Sequence, residues 1–132
     1  MNAIGRPWRP VAVLVGGVYA IIGIGFAAID ASAGSNRAAF VLSGLVFAAH
    51  LAHEHFRRRE IAQRTAWHTA VAVALGGLGL AVWANLHDLS SAAGYRPRML
   101  VALVAWPLVT AVPAFVVALA LAWGLSLKRP HA

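Results

Sequence analysis

Apolar residues gather along the chain in four blocks, Val11–Ile29, Ala38–Phe56, Thr65–His87 and Met99–Leu127, separated by short polar or charged stretches. Each block approaches or exceeds the ~20 residues that carry an α-helix across a bilayer core. The pattern predicts an all-α integral membrane protein: a four-helix transmembrane bundle, up-down-up-down, in a single membrane domain over residues 1–132. The second block crosses only with its polar end included, because its uninterrupted apolar part stops at Ala49 and His50, His53, Glu54 and His55 follow. The fourth is the longest and contains Pro107 and Pro113. Each proline removes a backbone donor and crowds the carbonyl four residues back, at Leu103 and Val109, so a tilt or kink is expected. A break that lines a cavity is the sharper alternative.

Asp30–Arg37 reads as a turn-rich connection, Arg57–Arg64 as a basic loop, and Asp88–Arg98, with Ser90, Ser91, Gly94 and Pro97, as an exposed turn. Ala31-Ser32-Ala33 resembles a signal cleavage site. The preceding apolar block is longer than the ~7–15 residues of a signal core, so it is expected to persist as a span.

Composition strengthens the membrane reading. Hydrophobic residues make up 61% of the chain and charged ones 11%, against roughly 45–50% and about 25% in soluble domains. A soluble fold of this length cannot hide so much apolar surface. There is no cysteine, which excludes disulfides and thiolate metal sites. The net charge of +7 invites a nucleic-acid reading, but the basic residues sit in caps between the blocks, where topology explains them. Arg6, Arg9, Arg57, Arg58, Arg59, Arg64, Lys128 and Arg129 fall on one side, and Arg37, Arg96 and Arg98 on the other. The positive-inside rule then puts both termini in the cytoplasm of an inner-membrane protein. Trp8, Trp67 and Trp123 near one interface, with Trp83 and Trp106 near the other, agree with that orientation.

Small residues form two stripes. Gly16, Ala20, Gly23, Ala27 and Asp30 recur at 4-3-4-3 spacing, and Ala72, Gly76 and Gly79 share a face with His68. In lipid, helices associate through close packing, which small residues permit. These stripes are candidate association faces toward other membrane subunits or a second copy of the chain.

The candidate chemistry lies where the second and third blocks reach the basic side. His50, His53 and His68 reach similar depths, about 6–10 Å inward from the flanking arginines at 1.5 Å per residue. They are candidate ligands for a b-type haem, with Ala72, Gly76 and Gly79 leaving room for a macrocycle. His50 and Glu54, four residues apart, are a weaker candidate pair for a divalent metal. A histidine beside Glu54 and Arg57 also suits proton or anion handling, although no Asp, Glu, Lys or Arg stands near mid-membrane on any block. His55 is expected to point elsewhere, toward the headgroups. The plainer alternative is a helix end whose polar side chains snorkel to the interface, with basic residues complementing its dipole. His87 and Asp88 read as an interfacial pair.

No phosphate-binding loop, Gly-x-Ser-x-Gly or His-Glu-x-x-His occurs in the sequence. The expected function is therefore non-enzymatic: an accessory or anchoring subunit of a membrane complex. A haem- or metal-binding redox subunit, and then a small oligomeric carrier or channel, are the alternatives.

Overall fold

A computed structural model of the chain describes residues 8–29, 33–57, 61–90 and 97–127. Arg6, Asp30, the Ala31-Ser32 part of the cleavage-like motif, Arg58, Arg59, Ser91, Gly94, Arg96, Lys128, Arg129 and His131 lie outside them. Helices occupy all four apolar blocks: α1 is Trp8–Ile29, α2 is Ala33–Ala52, α3 is Ala62–Leu89 and α4 is Met99–Leu127. A π-helical turn, His53–Arg57, continues α2. Among the described residues α1, α3 and α4 are each long and apolar enough to cross a membrane, and α2 is not among these. The chain is an all-α, multi-pass membrane protein in contact with lipid.

The polar connections are shorter than the turn-forming residues suggest. Gly34, Ser35, Asn36 and Arg37 belong to the first turns of α2 rather than to a loop. The first amides of a helix have no intrahelical acceptor, so the small polar residues that mark turns also suit a helix start. Arg64 likewise belongs to α3, which begins after extended Ile61 with Thr65 N–H donating to the Ile61 carbonyl at 3.0 Å. At the other end, the Ser90 hydroxyl donates to the His87 carbonyl at 2.8 Å, while Trp83 stacks on His87 with centroids 5.4 Å apart. α4 runs unbroken through Pro107 and Pro113.

α3 is the central element, packed most extensively on α4 and α1 and only sparsely on α2. Its buried positions are mostly small: Ala66, Ala70, Ala72, Gly76, Gly77 and Ala81. Large apolar side chains point outward instead, Ile21 at 73% exposure and Val101 at 66% among them. This inversion is what lipid favours, since bulky apolar groups lose nothing there and close approach needs small ones.

The paired glycines show the principle most directly. A Cβ on Gly76 would overlap Tyr19 of α1, and one on Gly16 would stand 2.7 Å from Leu75 Cβ and 3.0 Å from the Ala72 carbonyl. Next along α3, a Cβ on Gly77 would meet the Thr110 hydroxyl at 2.7 Å and the Trp106 carbonyl at 3.2 Å on α4. Successive residues are turned by about 100° on a helix, so adjacent glycines admit two neighbours on two faces. Asn85 closes the far end, donating to Ala81 at 2.9 Å and across to the Met99 carbonyl at 2.8 Å.

Candidate functional site

The π turn at the end of α2 carries polar residues into the protein. Glu54 is fully buried and His55 is 1% exposed, with His50 at 4% and His68, on the facing turn of α3, at 7%. Glu54 Oε2 lies 2.8 Å from His68 Nδ1, a hydrogen bond carrying one proton between carboxyl and imidazole. Glu54 Oε1 stands 4.0 Å from His50 Nε2. Trp8, at the start of α1, stacks on the His68 ring with centroids 4.5 Å apart and planes 9° from parallel. Three helices therefore meet at one imidazole.

Beside this cluster Thr65 and Thr69 are completely buried, and the Thr69 hydroxyl donates to the Thr65 carbonyl at 2.8 Å. Leu51, Ala66 and Ala118 form an apolar floor, with Phe47, Phe115, Leu119 and Leu125 packed on it. His55 meets Phe56 edge-on at 5.1 Å.

Of the residues singled out in the sequence, His50, Glu54 and His68 come together, while His53 is exposed. His55, expected to point away, is buried. On a wheel at ~100° per residue, His50, Glu54, Leu51 and His55 cover about 140°, a face centred beyond the one through His50 and Arg57. The wider π turn, with its i→i+5 bonding, rotates each residue less and brings His55 under Leu51. Glu54, secondary in the sequence reading, is the hub. Its i, i+4 spacing from His50 was the available signal; the π turn had none.

The carboxylate of Glu54 stands between the His50 and His68 imidazoles, the pair expected to ligate a haem. Both imidazoles address the same carboxylate. The space expected beside Ala72, Gly76 and Gly79 is taken by α1, with Tyr19 over Gly76 and Ala20 2.8 Å from a Cβ on Gly79. Among the described residues no group of three or more His, Cys, Asp and Glu side chains is disposed to hold a metal ion.

The small-residue stripes face each other. Gly16, Ala20 and Gly23 of α1 pack on the Ala72–Leu80 stretch of α3, with a Cβ on Gly23 reaching Leu80 Cδ1 at 2.7 Å. Ala27 is exposed at the end of α1. Faces read as open to another subunit are thus largely used within the chain, because each stripe is the other's complement.

No protein-family model matches the chain, and neither a search of curated proteins nor one of solved structures finds a relative.

Proposed function

We propose that the chain is a non-enzymatic accessory or anchoring subunit of an inner-membrane complex. It is inserted as an up-down-up-down bundle of four spans with both termini cytoplasmic. The observation that carries this reading is the state of α2. Only His50 and Leu51 of its 20 residues are buried, and Phe40, Val41 and Leu45 are 80%, 60% and 62% exposed. Unlike α1, α3 and α4, α2 is not among the helices apolar enough to cross a membrane by themselves, and its first turns carry the exposed Asn36 and Arg37. A partner helix laid against α2 would cover that mixed face. The intramolecular use of the glycine stripes leaves α2, rather than α1 or α3, as the side from which a partner docks.

Mild solubilisation of native membranes should therefore recover the chain with a stoichiometric second membrane protein. Introducing Leu45→Arg on the exposed face of α2 should release that protein. A chain that runs alone under every mild detergent contradicts the assignment. The orientation has its own test, made clean by the absence of native cysteine. In intact cells stripped of outer layers, an impermeant maleimide should label Ser90→Cys but not His131→Cys. The reverse pattern inverts the topology.

A further inference from the structure

Away from the histidine cluster, α2 and α4 leave between them an apolar groove of about 620 Å³. Gly76 and Gly77 of α3 are buried at its floor, while Phe40 and Gly44 of α2 and Val109 and Pro113 of α4 stand exposed along its edges. It exists because the glycines contribute no side chain to the floor and α2 packs only sparsely on α3. Nothing lies within 4 Å of a Cβ built on Gly44, so the α2 edge is open there.

The lining holds no Asp, Glu, Lys, Arg or His, which suits hydrocarbon and gives a charged group no counter-ion. On α2 it runs from Phe40 to Phe47, and Arg37 stands one turn before it. From Arg37 to Phe47 the helix rises about 15 Å at 1.5 Å per residue, and half of the ~30 Å hydrocarbon core is the same depth. A groove that starts one turn below a cation and ends at mid-bilayer has the reach of one leaflet's acyl chain. Arg37 is exposed and forms no ion pair among the described residues. On a wheel at ~100° per residue it lies within about 20° of Gly44, in line with the open edge.

We propose that the groove seats one acyl chain of an anionic phospholipid whose phosphate is held by Arg37. A zwitterionic lipid offers the same chain but carries its own cation beside the phosphate, so attraction to Arg37 selects an anionic headgroup. The guanidinium fork donates two parallel hydrogen bonds to phosphate oxygens. Val41 and Leu45, on the face left for a partner helix, point about 120° away around α2, so lipid and partner do not compete. The placement rests on the reading of α2 as a fourth span, which labelling checks by itself: in cells stripped of outer layers, an impermeant maleimide should reach Arg37→Cys.

The test uses the purified full chain in phosphatidylcholine vesicles with trace phosphatidylglycerol or phosphatidylcholine spin-labelled on one chain. Electron paramagnetic resonance then reads the motionally restricted fraction. Phosphatidylglycerol should associate about fivefold more strongly, the increment of one basic residue at a membrane surface. Arg37→Gln should abolish that preference. Arg98→Gln, just before α4 on the same side of the membrane, should keep it. Gly44→Phe projects into open space and should also abolish it by filling the groove, although Arg37 remains. No preference in the parent chain would overturn the proposal. Equal loss in Arg98→Gln would reduce the effect to diffuse surface charge and overturn it as well, and a preference that survives Gly44→Phe would overturn the seating of the chain. An unlabelled Arg37→Cys would overturn the span and the lipid site together, whereas a missing preference with that labelling intact falls on the groove alone.

Discussion

α3 has two very different neighbours in α1 and α2. Against α1 it packs backbone to backbone, Gly16 on the Ala72 carbonyl and Gly76 under Tyr19. Against α2 it is held at one end by the buried Glu54–His68 hydrogen bond, and a cavity opens where the middle of the two helices would otherwise meet. One neighbour is attached by shape along its length, the other by a polar tie at a single depth. In lipid both solutions work, because helices there associate by dispersion and hydrogen bonding rather than by burial from water. They should fail differently.

The largest effect should come from cutting the tie on one side only. His68→Leu removes the imidazole to which the fully buried Glu54 carboxyl is hydrogen-bonded, and losing one partner of a buried hydrogen bond typically costs about 1–3 kcal/mol, more for a charged group. Unfolding in mixed micelles should show that loss, and the double variant Glu54→Leu with His68→Leu should recover most of it. A double variant as unstable as the single one would mean that the tie is not what holds α2.

Next comes the seam. Gly76→Leu must displace Tyr19 and the Gly16 carbonyl together, and overpacking of this kind costs about 1–3 kcal/mol, occasionally more. Gly17→Leu, one residue from Gly16 but with nothing within 4 Å of its Cβ, should stay within about 0.5 kcal/mol of the parent. Equal loss in the two variants would remove the special status of the seam. The smallest effect is expected on the loose side. Gly44→Ala enters open space and should stabilise α2 by up to about 1 kcal/mol through helix propensity alone. A destabilisation there would indicate that the α2 side is packed more tightly than its geometry.

The same contrast separates what the sequence made legible from what it did not. Helices α1, α3 and α4 are marked by long apolar runs, and the glycine spacing identified small faces on α1 and α3. It did not identify their partner, since a stripe at helical spacing is the same whether it meets its own chain or another. α2 was harder, because its start is written in residues that also make turns and its end is polar. The wheel that set His53 inward and His55 outward assumed one rotation per residue throughout. The π turn at His53–Arg57 changes that rotation, and nothing in a periodicity count anticipates it. Glu54 was visible as an acidic residue at helical spacing from His50, yet its role depends on His68, 14 residues away on α3.

The π turn also makes chain length a determinant of the cluster. A π turn amounts to an α-helix carrying one residue too many, so a one-codon deletion within 53–57 can restore plain helical spacing. Deleting His53 would slide His55 into the place facing His68 and carry Glu54 off the buried face, exchanging a carboxylate–imidazole contact for one between two imidazoles. Every side chain of the cluster except an exposed one would still be present, and the site would nonetheless be chemically different. Substitution scans of this segment will miss that sensitivity; single-residue insertions and deletions will expose it.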